Sequence, residues 1–144
     1  MRRFPHRVCA LLFLCGGGLM AGGAADRPLV AAEPPPSFAE VAARPLPSSH
    51  EGTQSLNDIP APFRVICFLG TECPLAKLYG PRLDRMATEM ADAGVAFIGI
   101  NSNPQDSLAD IAAYVEQHGI RFPVLKDVDQ AVALALAATR TPEV

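Results

Sequence analysis

Basic side chains are scarce in this 144-residue chain: 12 Lys and Arg stand against 15 Asp and Glu, and no basic run occurs after the first seven positions. With a formal net charge of -3 and no basic stripe, nucleic-acid binding driven by charge is excluded. No Cys-x-x-Cys occurs among Cys9, Cys15, Cys67 and Cys73, and no His follows a Cys closely, so zinc fingers and attached c-type haem are excluded by spacing. His6, His50 and His118 share no readable ligand spacing either. Neither an internal repeat nor a heptad pattern is present, which removes solenoids and coiled coils. What remains is 49% apolar and 19% charged residues, the composition of a folded chain with room for one ordinary domain.

The N-terminus carries Arg2, Arg3 and Arg7, then the apolar stretch Val8 to Met20, interrupted by Gly16, Gly17 and Gly18, then small residues from Ala21 to Ala25. This order reads as a secretory signal peptide over residues 1–25 and implies export to the periplasm or cell envelope. The apolar stretch falls short of the roughly 20 residues that span a bilayer, so an uncleaved N-terminal membrane anchor is the alternative rather than the first reading. Leu14 before Cys15 argues against lipid attachment, which needs a small residue there. Between Asp26 and Pro62 proline recurs, including Pro34, Pro35 and Pro36. Residues 26–48 therefore read as a linker, with a short hairpin around Glu51-Gly52-Thr53 the one regular feature expected before Phe63.

From there strands and helices alternate. Arg64 to Leu69 is a short apolar run rich in strand formers, Val95 to Ile100 a second and Phe122 to Leu125 a third. Helical spacing of Leu75, Leu78, Leu83, Met86 and Met90 predicts an amphipathic helix from Pro74 to Asp92, kinked at Pro81 and stopped at Gly94. Ser107 and Asp110 form a capping-box pattern for a helix ending at Gly119, and Asp129 to Ala138 is a short Ala-rich helix. The order favours a parallel α/β sheet.

Cys73 is the residue with chemical promise. It follows a strand and a Gly-containing turn and stands at a helix N-terminus, with Pro74 in the first-turn position that proline tolerates. Free amides and the positive helix end favour thiolate there, and cysteines so placed have pKa values lowered from about 8.5 into the range of roughly 3.5 to 7.5. Lys77, one turn on, is placed to help; Glu72 opposes ionisation, and a lone Cys also serves as a small packed apolar residue. Cys67 alternates with Ile66 and Phe68 inside a strand and reads as core.

The strings FLGTECPLAKLYGPRL, VAFIGINSN, HGIRFPVLKD and TPEV, from about Ser49 to Val144, resemble the thioredoxin-like redoxins of the alkyl hydroperoxide reductase and thiol-specific antioxidant (AhpC/TSA) group, above all the exported bacterial type with a Thr-(Asp/Glu)-Cys-Pro signature. The resemblance implies a three-layer α/β/α thioredoxin-like fold over residues 49–144 and no bound cofactor. It implies that Cys73 attacks, that Pro142 is the cis-proline beside it, and that Thr141 offers backbone hydrogen bonds to a bound peptide or thiol. The implied partners are an external thiol or thioredoxin-like reductant and a disulfide-containing protein or small peroxide. Such modules frequently form part of a larger fused or associated envelope protein.

Three departures qualify this. Ala76 stands where the dithiol members have their second Cys, so exchange by that route is closed. Peroxiredoxins place Pro, three residues, Thr, two residues and Cys; the matching positions are Ile66 and Gly70, and Thr71 comes one residue late. Their peroxide-orienting arginine aligns with Pro142, leaving Arg140 and Arg121 as the nearest candidates. Finally, the family's closing hairpin and last helix have no counterpart before Val144, so a fragment is expected, with the apolar strand Arg64 to Leu69 as an open edge and poor solubility. Two functions remain open: a one-Cys oxidoreductase centred on Cys73, with Thr71, Lys77, Thr141 and Pro142 around it, or a non-catalytic binding module on the same fold. Asp127 and Asp129 read as caps of the last helix, and Asn101-Ser102-Asn103-Pro104 ends a parallel strand, where α/β proteins often bind ligands, although its composition is that of an ordinary turn.

Overall fold

The structure, a computed structural model, describes residues 34–50 and 52–144. The signal-peptide and anchor readings of residues 1–25, with His6, Cys9 and Cys15, lie outside the described residues, as do residues 26–33 of the expected linker.

Order begins earlier than the prolines imply. Helix α1, Phe38–Ala42, opens with a capping box in which Glu40 Oε2 accepts the Ser37 N–H at 2.7 Å and Ser37 Oγ accepts the Glu40 N–H at 3.4 Å. A hairpin pairs β1, Leu46–Pro47, with β2, Thr53–Gln54, where the short hairpin was expected. A 3-10 turn follows at Leu56–Asp58. Val41, Leu46 and Leu56 are buried, so residues 38–48 are not the linker the sequence predicts. Pro45, Pro60 and Pro62 fall between elements, and Pro47 falls on a two-residue strand, positions where a missing N–H costs little.

Three parallel strands in the order β3-β4-β5 form the main sheet: β3 is Phe63–Phe68, β4 is Val95–Asn101 and β5 is Val124–Lys126. Helix α2, Pro74–Met90, connects β3 to β4; α3, Leu108–His118, connects β4 to β5; and α4, Ala131–Ala135, follows. The strand period of two sorts the apolar residues onto two faces. Cys67, Leu69, Phe97 and Val124 pack with Ala76 and Leu83 of α2 and Ile111, Tyr114 and Val115 of α3. Phe68, Ile98, Ile100 and Leu125 pack with Val41 of α1 and Val132 of α4. The result is the expected α/β/α layering. Ser48 bridges to Leu125 on the β5 side, and Glu143 bridges antiparallel to Phe68 on the β3 side.

Helix α2 departs from its expected orientation. Its buried positions are Ala76, Gly80, Leu83 and Asp84, while Leu75, Leu78, Tyr79, Met86 and Met90 are exposed. Close approach decides this: a Cβ at Gly80 would lie 3.0 Å from Tyr114 Oη and 3.1 Å from Ile120 Cδ1, and Tyr114 Oη donates to the Ala76 carbonyl at 2.7 Å. Ala76 and Gly80 face the neighbours together with Leu83, and the other bulky apolar residues are left outside. The helix continues through Pro81. Gly119 stops α3 in the left-handed region at φ 63, as Gly94 does after α2 at φ 77. No helix among the described residues is long and apolar enough to cross a membrane.

Candidate active site

Cys73 is the N-cap of α2, and Pro74 occupies the first turn, as the sequence predicts. Its backbone is extended (φ -74, ψ 117), so its side chain lies beside amides that have no partner inside the helix. The thiol is half-buried and is held below its ordinary value of 9.0, chiefly by the Ala76 N–H against the opposing effect of burial. A side-chain hydrogen bond with Thr141 and the Leu75 N–H act in the same direction as Ala76. A thiolate charge is thus shared with backbone dipoles rather than with a cation.

The other half of the site arrives from 68 residues away. Cys73 Sγ donates to the Thr141 carbonyl at 3.2 Å, and the Thr141–Pro142 bond is cis. That hydrogen bond belongs to the neutral thiol; on ionisation the carbonyl becomes an unfavourable neighbour while the amides become favourable ones. The segment is anchored where Phe68 N–H donates to Glu143 O at 2.8 Å and Glu143 N–H to Phe68 O at 3.3 Å. Glu143 Oε2 also accepts the N–H groups of Thr139 and Arg140 at 2.8 and 3.2 Å. A cysteine at a helix start, a cis-proline opposite it and a residue beyond that proline pairing with the first core strand form one constellation.

The AhpC/TSA family profile matches residues 38–144. The chain belongs to the AhpC/TSA family. It is similar to a hypothetical protein of Sinorhizobium meliloti at 33% identity and to an uncharacterised conserved protein of Geobacillus kaustophilus at 34%, both with TM-score 0.63 and 70% of this chain covered. The match covers 59% and 58% of those two chains, so this sequence spans less than two thirds of their length. Xanthomonas campestris peroxiredoxin Q (22% identity, TM-score 0.63, 73% of this chain and 66% of that one) shares the fold. So does a secreted Mycobacterium tuberculosis disulfide oxidoreductase (18%, TM-score 0.61, 72% and 74%). No curated protein matches. The fold is therefore thioredoxin-like.

Within this redoxin domain the remaining candidates separate. Lys77 Nζ lies 3.4 Å from Glu72, both exposed, and the lowering of Cys73 has backbone and Thr141 causes rather than this ammonium. Thr71 is buried, and its N–H donates to Asp106 Oδ2 at 3.0 Å, so it secures the turn before Cys73. A side chain at Gly70 would displace its neighbours: a Cβ would lie 2.5 Å from Asn103 Nδ2 and 3.1 Å from Thr141 Oγ1. Arg121 is engaged elsewhere, with its backbone N–H on Asp84 Oδ1 at 2.7 Å and its guanidinium on Asp84 Oδ2 at 2.7 and 3.0 Å. Arg140 is exposed and makes no side-chain ion pair among the described residues. Cys67 is fully buried, its thiol pushed up by burial to about 12. His118 Nδ1 lies 2.9 Å from the Tyr114 carbonyl at the end of α3, and the His50 N–H donates to Ser48 Oγ. Asp127 accepts the Val132 and Ala133 amides and Asp129 the Ala131 amide, the capping roles expected of them.

Sequence reasoning missed the support beneath the turn. Asp106 Oδ2 accepts from Thr71 N–H, from Asn101 Nδ2 at 2.6 Å and from Asn103 Nδ2 at 3.1 Å. Lys126 Nζ donates to Asn101 Oδ1 at 3.0 Å and to the Asn103 carbonyl. Burial alone raises the Asp106 carboxyl, but the Thr71, Asn101 and Asn103 donors outweigh it and hold it low. Burial pulls Lys126 down against Asp106 and Asp127. This network ties the ends of β4 and β5 to the turn that carries Cys73. The available signal was polar residues at the C-terminal ends of parallel strands, where α/β proteins build their sites.

Proposed function

We propose that this domain is an exported one-thiol oxidoreductase in which Cys73 attacks and an external thiol regenerates it. The observation that carries the reading is the placement of Cys73 Sγ, at the N-cap of α2 with a lowered pKa and 3.2 Å from the carbonyl preceding cis Pro142. The Cys73 thiolate attacks one sulfur of a disulfide; the Sγ–S bond forms as the S–S bond breaks, and the electron pair leaves on the second sulfur, which takes a proton from water. The thiolate of an external thiol or thioredoxin-like reductant then attacks the mixed disulfide and releases Cys73. With a small peroxide, attack on oxygen would leave a sulfenic acid and an alcohol or water, and two external thiols would return it to the thiol with release of water. The absence of a hydroxyl at Gly70, where peroxiredoxins carry Thr, favours the disulfide. Export rests on the arginines, apolar stretch and small residues within residues 1–25.

One observation favours a second reading, a binding module of a larger cell-envelope protein. Cys67, the other cysteine among the described residues, is too deeply buried to resolve a mixed disulfide. Alkylation of the full chain by iodoacetamide across pH, read at Cys73 by peptide mass spectrometry, separates the two. A midpoint below about 7.5 is the outcome expected of an attacking thiol. A midpoint near about 8.5, or no reaction in the folded protein, leaves the binding module.

A further inference from the structure

The cis-proline segment lies between two recesses of opposite character. On the α2 side, Leu75, Tyr79, Leu83, Pro142 and Val144 line an apolar groove. On the α4 side, a cavity of about 290 Å³ is lined by Ser102, Asn103, Gln130, Thr139, Arg140 and Thr141, with Phe68 and alanines behind them. Arg140 and Thr141 border both, and the Thr141 carbonyl is the group 3.2 Å from Cys73 Sγ. A molecule in the polar cavity therefore lies against a residue that itself touches the attacking sulfur.

The cavity's hydrogen bonding is one-sided. Arg140 is the single charged side chain in its lining, and among the described residues it forms no side-chain hydrogen bond or ion pair. The acids close by are occupied: Glu143 holds the Thr139 and Arg140 amides, and Asp127 accepts from Ser102 Oγ at 2.8 Å and from the start of α4. A guanidinium with a fork of unused donors beside threonine hydroxyls suits a carboxylate. The rim is also held in costly backbone geometry. Gln130 (φ 59) lines the cavity, and Ala137 (φ 54) adjoins Ala138, which lines it too; both are non-glycine residues in the left-handed region. Such residues concentrate at functional sites. At the small end of the roughly 300–1,000 Å³ typical of ligand pockets, the volume fits a small molecule rather than a folded chain.

We propose that this cavity binds the carboxylate of a small anionic thiol, presented as its disulfide, with Arg140 as the counter-ion and the sulfur directed past Thr141 to Cys73. This rests on the reading of Cys73 as the attacking thiol and names the substrate class of that same site. The reaction is the exchange already written: Cys73 bonds to one sulfur of the carboxylated disulfide, and the other half leaves as a thiolate.

The test compares three aliphatic disulfides on the whole 144-residue chain: anionic 3,3′-dithiodipropionate, neutral 2-hydroxyethyl disulfide and cationic cystamine. Mixed-disulfide formation at Cys73 is followed by mass spectrometry, and each rate is divided by the same protein's rate with neutral iodoacetamide. The expected result is a preference for the anionic over the neutral disulfide of about tenfold, the scale of one charge-assisted pair, and a lower rate for cystamine. Arg140→Gln should remove the preference and Arg140→Lys retain part of it. Equal relative rates for all three disulfides, or a preference that survives in Arg140→Gln, would overturn the proposal while leaving Cys73 as a nucleophile. Failure of Cys73 to react with iodoacetamide at all would overturn both readings together.

Discussion

At the scale of single residues, the site depends on an atom that is missing. Gly70 leaves the space into which Asn103 Nδ2 and Thr141 Oγ1 project. Replacing it by Ala forces the Asn103 amide to move, and with it part of the Asp106 network that holds Thr71. Gly70→Ala should cost about 1–3 kcal/mol, read as a lower thermal midpoint, and should slow alkylation of Cys73. Asp106 offers a sharper experiment. Its folded-state pKa lies below the ordinary 3.8, so its contribution to stability is fully present above that value and is lost as pH falls through the lowered one. Asp106→Asn should lose about 1–3 kcal/mol at neutral pH and show a flatter decline in urea midpoint on acidification than the parent chain. Equal acid slopes for the two proteins would mean that the carboxylate is not held by these donors.

At the scale of elements, α2 shows how the site is held square to the sheet. The Tyr114 hydroxyl on the Ala76 carbonyl fastens the first turn, which carries Cys73, to α3. Tyr114→Phe should therefore cost about 0.5–1.5 kcal/mol and measurably shift the alkylation midpoint of Cys73. The second half of α2 is fastened by Asp84, whose burial is outweighed by the hydrogen bonds from Arg121. Much of this architecture was legible beforehand. Short apolar runs rich in strand formers marked β3, β4 and β5, Ser107 with Asp110 marked the start of α3, and Cys73-Pro74 marked that of α2. The buried face of α2 was not legible, because hydrophobicity pointed to Leu75, Leu78, Met86 and Met90 whereas the neighbours' proximity selected Ala76 and Gly80. Nor was α1 visible, since prolines at element edges resemble prolines in a linker. Of the site, Cys73, Thr141 and Pro142 were legible, and the structure brings them together. Asp106 and Lys126 were not, because loop-like residues join across distant chain segments only once β4 and β5 lie side by side.

At the scale of the molecule, the outward side of α2 and the edge of β3 ahead of the Phe68–Glu143 bridge lie unpartnered among the described residues. Leu75, Leu78, Tyr79, Met86 and Met90 are exposed along one helix, and Phe63 is 66% exposed at the start of β3. Contiguous apolar surface of this kind drives association. The chain should self-associate with rising concentration in light scattering, and Met86→Lys should weaken that association while changing the thermal midpoint little. An unchanged scattering profile in the variant would exclude this face as the contact.

The short arm that delivers Thr141 and Pro142 gives the molecule a second way to lose its chemistry. Among the described residues its backbone attachment to the sheet is one reciprocal pair between Phe68 and Glu143, and the Glu143 carboxylate folds back on the arm itself. The sheet, by contrast, is clamped through three strands between two apolar layers. Local opening of the arm should need far less free energy than global unfolding, so amides of residues 139–143 should exchange with deuterium long before those of β4. Cys73 would then alternate between a sulfur in its groove and a bare helix-end thiol, and the balance between those two states, rather than the melting of the domain, would set how long the site survives heat or denaturant.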